Sequence, residues 1–132
     1  MLAYLWIALG GALGSVGRFW LSGVIGRQFG ETFPWGTLLV NVSGSFAIGL
    51  LAALAEPGGR RFISPTGRQF LMYGVCGGYT TFSSFSVQTL ELIRDGDWFK
   101  AGTNAVGSML LCLVAVWLGY AFGAGFSAGK GT

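Results

Sequence analysis

Polar side chains lie at regular spacing inside strongly apolar sequence, where they need a chemical reason. Thr37, Asn41 and Ser45 are four apart, so a helix would carry them as one stripe. Asn104, Ser108 and Cys112 repeat that spacing in the last apolar stretch. Between these two lies Tyr73-Gly74-Val75-Cys76-Gly77-Gly78-Tyr79-Thr80-Thr81-Phe82-Ser83-Ser84-Phe85-Ser86, bracketed by Arg68 and Glu91. Phe82 and Phe85 are three apart and share a helix face, with Thr81, Ser83, Ser84 and Ser86 interleaved. Arg18 is the one charge well inside an apolar stretch. Hydroxyl and amide hydrogens can replace the hydration shell of an anion. The rim of a phenyl ring carries the positive part of its quadrupole, so an edge-on ring attracts an anion too. A cation pathway or proton relay usually shows an embedded carboxylate. Here Glu31, Glu56, Glu91, Asp95 and Asp97 all fall in or beside expected turns.

Each of these residues also has a plainer reading. Asn41 could form one interhelical hydrogen bond that holds a bundle together. An intramembrane charge is by default a functional candidate, yet Arg18 lies towards one end of its stretch and could snorkel to the interface. The glycines around Gly77 could serve packing alone. Phenylalanines at helical spacing are more often core or lipid-facing than functional. Ser108 could bond back to its own helix.

Other chemistries find little support. The chain has no histidine, and Cys76 and Cys112 both fall in apolar segments, which argues against a disulfide framework or a Cys/His metal site. No catalytic triad, phosphate-binding loop or dinucleotide fingerprint is present, so no enzyme is expected. A net charge of +3, scattered along the chain, gives no footprint for nucleic acid.

The elements that position these residues follow from composition. Charged residues make up 10% of the chain and hydrophobic ones 52%, where a soluble domain carries about 25% charged residues. With a mean hydropathy of +0.62, that points to an all-α integral membrane protein. The 24 glycines point to closely packed helices. The 132 residues have room for four spans of about 20 residues and no soluble catalytic domain. The expected spans are 2–25, 35–55, 69–93 and 101–122, in a single membrane domain covering 1–132, with 123–132 as a flexible tail. Gly10 and Gly14 form a GxxxG pair that lets another helix approach, with Gly17 near the same face. Ser64-Pro65 or Thr66 is placed to start the third span. That span is expected to break near the bilayer midplane, because a glycine pair followed by two β-branched residues continues a helix poorly. Broken backbone at that depth survives only where protein or a wet cavity surrounds it, and such breaks often hold ions. The uncharged stretch before Arg18 is unlike a cleavable signal peptide, which puts positive charge first.

Orientation is nearly unbiased. Arg60, Arg61, Arg68 and Lys130 would lie on one side; Arg27, Arg94 and Lys100 on the other, with Arg18 leaning towards it. A chain that inserts both ways could pair as an antiparallel homodimer, which would bury its polar stripes and bring two breaks together near the midplane.

These residues resemble the Fluc, or CrcB, family of fluoride channels. The matching pieces are Gly10-Gly11-Ala12-Leu13-Gly14 with Arg18, then Gly36-Thr37-Leu38 through Asn41 and Gly44. Next come the string from Gly77 to Ser86, which is the specific one, and Asn104 with Ser108. The resemblance implies a multi-pass protein of the bacterial inner membrane, forming a dual-topology antiparallel homodimer with two fluoride pathways along the subunit interface. It implies passive export of cytoplasmic fluoride. It also implies a structural sodium ion at the dimer centre, held by backbone carbonyls matching Gly77 and Thr80. By the same match Phe82 and Phe85 are ring-edge fluoride ligands and Asn41 is a pore-lining donor. Ser108 belongs to a polar track, with Thr37, Thr81 and Ser84 in the same pathway, and Arg18 stands near a pore entrance. Cys112 departs from the pattern, since a thiol is a weaker donor than a hydroxyl.

A small multidrug-type exporter is also a four-span, dual-topology dimer. It needs a membrane-embedded glutamate that this chain lacks. A non-conducting membrane subunit would explain the glycine faces but not the polar stripes.

Overall fold

The structure is a computed structural model that describes residues 1–56 and 62–129, with side chains described through residue 126. Pro57 to Arg61 and Lys130, which enter the expected connection and charge balance, lie outside the described residues. Among the described residues every regular element is a helix, with no strand. Helix α1 spans Leu2–Phe29 and α2 spans Trp35–Leu54. A composite third unit follows: α3 (Pro65–Arg68), a π-helical segment (Gln69–Cys76), α4 (Gly77–Tyr79) and, after a break, α5 (Phe82–Arg94). Helix α6 spans Trp98–Gly129.

Leu2–Phe29, Trp35–Leu54 and Trp98–Phe126 are long and apolar enough to cross a membrane. The broken unit does not qualify as one span. The part after the break, α5, has 13 residues and is about 20 Å long, against a hydrocarbon core of about 30 Å. Large apolar side chains such as Leu5, Leu9, Leu13, Phe19, Met109, Leu113 and Trp117 are exposed along α1 and α6. In water that would be untenable; in lipid it is the expected outer surface.

Local chemistry sets the ends. Gly30 adopts φ 83, closing α1 with its N–H on Gly26 O. The helix thus runs four residues past the expected end at residue 25, and Phe29 stacks near Trp35 at 6.4 Å. Ser64 caps α3, its hydroxyl accepting from Gly67 N at 3.0 Å, with Pro65 in the first turn where its missing N–H costs nothing. Gly96, at φ 79, turns the chain between α5 and α6. Asp97 Oδ1 accepts from Lys100 N, so α6 starts earlier than residue 101.

The expected flexible tail is corrected over 123–129, where α6 continues as helix to Gly129; 130–132 lie outside the described residues. Gly123 packs against Leu50 and Ala53 of α2, and the rings of Phe126 and Phe62 lie 5.9 Å apart, so the segment has something to pack on.

Two close helix pairs build the bundle. In α2 against α6, Gly49 meets the backbone of Val116 and Tyr120, and Gly119 meets that of Phe46 and Leu50. In α1 against the broken unit, Gly10 and Gly14 meet the backbone from Phe70 to Tyr79. The GxxxG pair therefore works as expected. Gly17, near the same face, meets open space.

Candidate functional site

The break lies one step further on than the glycines. Gly77 is helical, at φ −61 and ψ −40. Thr80 (φ −80, ψ 153) and Thr81 (φ −149, ψ 110) are extended. The break was expected from the glycine pair and the two threonines together; the threonines form it, and the glycines pack. A Cβ on Gly78 would come within 2.5 Å of Gly11 O, so only glycine lets α4 lie this close to α1. The β-branched threonines take the extended backbone that suits them.

A break frees backbone groups on both sides, and each can be followed. Thr80 sends both its N–H and its hydroxyl to Cys76 O, each at 3.0 Å. Thr81 N–H, which in a continuous helix would reach Gly77 O, donates to Asn41 Oδ1 at 2.7 Å. Asn41 Nδ2 donates back to Thr81 O at 3.0 Å. Asn41 on α2 thus holds both backbone groups of one residue, Thr81, the interhelical alternative in its plainest form. Only one of its two amide hydrogens is used there. Gly78 O accepts from Arg18 Nε at 3.3 Å and Ser15 Oγ at 3.4 Å. Arg18 is directed at the broken helix end, where the carbonyls carry partial negative charge.

Thr81 Oγ1 caps α5, accepting from Ser84 N at 3.1 Å. Phe82 and Phe85 follow in the first turn, with ring centroids 5.4 Å apart and planes tilted by 47°. Phe82 is 77% exposed on this single copy, and Phe85 is partly buried. Ser83, Ser84, Val87, Gln88 and Glu91 line an open groove along α5, and Gln88 Oε1 is buried there without a partner among the described residues.

The polar stripes are placed as follows. Thr37 is buried, at 8% exposure, one turn before Asn41 on α2. Asn104 and Ser108 are buried on α6. Ser108 Oγ does not bond back to its own helix backbone; it donates to Asn104 Oδ1 at 3.2 Å. Asn104 Nδ2 donates to Thr89 Oγ1 at 2.9 Å, and Thr89 Oγ1 donates to Phe85 O at 2.7 Å. The structure therefore ties Asn41, Arg18, Thr80 and Thr81 to the break, and ties Ser108 through Asn104 and Thr89 to Phe85.

Sequence reasoning missed Thr89, Gln88, Ser15 and the bond of 2.8 Å between the Ser43 and Tyr79 hydroxyls. Spacing held signals for two of them: Thr89 is four after Phe85, and Gln88 is four after Ser84. Among the described residues no cluster of His, Cys, Asp or Glu could hold a metal.

Glycine-packed apolar helices around an interrupted helix, braced by an arginine and an amide, define a multi-pass membrane protein. The family description "CrcB-like protein, Camphor Resistance (CrcB)" matches residues 5–120. The chain belongs to the CrcB family. A protein of Opitutus terrae named "Fluoride-specific ion channel FluC" is 64% identical over 132 residues, covering all of both chains. Proteins of the same name from Paramagnetospirillum magneticum and Rhodospirillum rubrum are 58% and 56% identical. These alignments cover 91% and 90% of this chain, and 94% and 92% of the relatives.

Proposed function

We propose that this protein is a fluoride-selective passive channel of the bacterial inner membrane, working as an antiparallel homodimer with two pathways. The observation that carries the reading is the arrangement at the break. The N-terminus of α5, with its positive dipole end, sits beside Phe82, Phe85 and the Asn41 amide, while Arg18 lies across α4. That set offers donors and ring edges to a small, strongly hydrated anion. The name borne by relatives at 56–64% identity supports the same anion.

The broken unit serves as a fourth span, its two halves together crossing the bilayer. Pairing of two copies would cover the α5 face, where Phe82, Ser83 and Ser86 are exposed and Gln88 Oε1 lacks a partner. A structural sodium ion at the dimer centre fits the donor set, because Thr81 N–H is diverted to Asn41 and leaves Gly77 O free of its helical donor. Gly77 O and Thr80 O would be its ligands, neutral oxygens of the kind hard cations take. Asn41, Phe82, Phe85, Thr37, Thr81, Ser84 and Ser108 line the pathway, and Arg18 stands at its mouth. Hydrogen fluoride crosses membranes as a neutral acid and dissociates inside. An open pore then lets fluoride leave, driven by about 2.3 kcal/mol per charge per 100 mV of interior-negative potential. No proton-coupling group is needed, and a multidrug-type exporter, which needs one, fits less well.

The test is anion release from proteoliposomes loaded with potassium fluoride or potassium chloride, started with valinomycin and followed with ion-selective electrodes. Rapid fluoride release with little chloride release is expected. Release of neither anion, or equal release of both, overturns the reading.

A further inference from the structure

Thr89 lies outside the stripes expected to carry the anion, yet it sets the direction of the hydrogen bonds at Asn104 and Ser108 in one of them. Phe85 O is a peptide oxygen and can only accept. Thr89 Oγ1 lies 2.7 Å from it, so the single hydroxyl hydrogen of Thr89 is committed there. The threonine oxygen must then accept from its other neighbour, the Asn104 amide at 2.9 Å. That puts the amide nitrogen towards α5 and the amide oxygen towards Ser108. Ser108, 3.2 Å from that oxygen, must donate to it. Both hydroxyl hydrogens in the row are used. The donor left over is the second amide hydrogen of Asn104, on a side chain only 2% exposed.

The two ends of an asparagine amide are nearly the same size, and only their hydrogen-bond partners tell them apart. Without the Thr89 oxygen nothing holds the nitrogen towards α5. The amide could then turn over and present a carbonyl oxygen, which repels an anion.

We propose that Thr89 is a positioning residue for anion selectivity. Acting through Asn104, it keeps the N–H end of that amide on the Phe85 side of the α5–α6 contact. A threonine in mid-helix often bonds to the carbonyl four residues back, with no wider consequence. What sets Thr89 apart is that a buried amide from another helix lands on the same oxygen. The proposal rests on the fluoride-channel reading, and its test separates the two.

Fluoride and chloride release are measured for the wild-type protein, Thr89→Val, Thr89→Ser, Asn104→Leu and the double variant Thr89→Val/Asn104→Leu. Thr89→Val is expected to slow fluoride release about tenfold, the scale of one unpaired buried donor, and to narrow the fluoride-to-chloride ratio. Thr89→Ser keeps the hydroxyl and is expected within about twofold of wild type. In the Asn104→Leu background Thr89→Val should change release by less than about twofold, because contacting residues couple. Wild-type release and ratio in Thr89→Val, no recovery in Thr89→Ser, or effects that multiply in the double variant would each overturn the proposal. If Thr89→Val yields no folded protein, Thr89→Cys takes its place. Its weaker thiol should give intermediate release, and wild-type release would again refute the idea. A wild-type protein that passes no fluoride would instead sink the channel reading and this inference with it.

Discussion

Replacing Asn41 with leucine tests the brace at the break most directly. The side chain is close in size and removes both bonds to the Thr81 peptide, at 2.7 and 3.0 Å. Leaving one buried peptide group unpaired costs about 1–3 kcal/mol. Two groups are stranded, but Thr81 is half-buried on one copy, so the lower limits apply and the loss is about 2 kcal/mol. At about 1.4 kcal/mol per factor of ten, that shifts the balance between the braced and the loosened break about 30-fold. The N-terminus of α5 depends on this brace, since Thr81 also caps it through Ser84 N. Asn41→Leu should therefore slow fluoride release at least about tenfold in the valinomycin assay. It should also lower the melting temperature by about 5–10 °C, the shift that 2 kcal/mol gives in a chain of this size. Unchanged release together with an unchanged melting temperature would refute the reasoning. A lowered melting temperature with normal release would leave Asn41 as a brace and remove it from the pathway.

Two further outcomes are expected. Gly14→Ala should destabilise by about 1–3 kcal/mol, because the new methyl would strike Val75 O and lie 2.8 Å from Tyr79 N, both backbone atoms that cannot swing away. Gly17→Ala, with nothing within 4 Å, should leave the melting temperature within a degree or two of wild type, and equal effects at both sites would show that this packing is misread. Phe82→Ile and Phe85→Ile keep an apolar side chain and remove the ring edge, so each should slow fluoride release about tenfold or more, on the scale of about 1–2 kcal/mol for a ring contact. Normal release from both would end the ring-edge proposal.

The apolar spans were legible because hydropathy alone decides them. The expected 35–55 and the observed Trp35–Leu54 differ by one residue. Ends were less legible where tertiary contacts extend a helix, as Phe126 against Phe62 extends α6 through a small-residue stretch that reads as a tail. The existence of a break was legible from four poor helix formers within five residues, Gly77, Gly78, Thr80 and Thr81. Which pair breaks was not, because that depends on α1 pressing against Gly78 from outside the stretch. The π-helical winding of Gln69–Cys76 left no mark in the sequence. Asn41 was singled out as a polar side chain that needed a partner. Its partner, forty residues away, is a fact of packing and no pattern along the chain encodes it.

The division of labour between the two residue pairs explains how a break at membrane depth can be stable. Glycines in the extended stretch would leave it loose, because glycine loses the most freedom on being fixed. Threonines narrow the choice and also supply hydroxyls. Thr80 gives its hydroxyl to Cys76 O at the end of the upstream segment, and Thr81 takes the Ser84 N–H at the start of the downstream one. Arg18 and Ser15 answer Gly78 O, and Asn41 answers both the N–H and the C=O of Thr81. What the break leaves open is then sorted by polarity. Upstream, Gly77 O is an acceptor without its helical donor. Downstream, the N–H groups of Phe82 and Ser83 begin α5 with no turn before them to bond to. One interruption thus turns acceptors to one side and donors to the other. The proposed sodium ion and fluoride ion would each need one of those two faces, and neither would need a charged side chain at the centre.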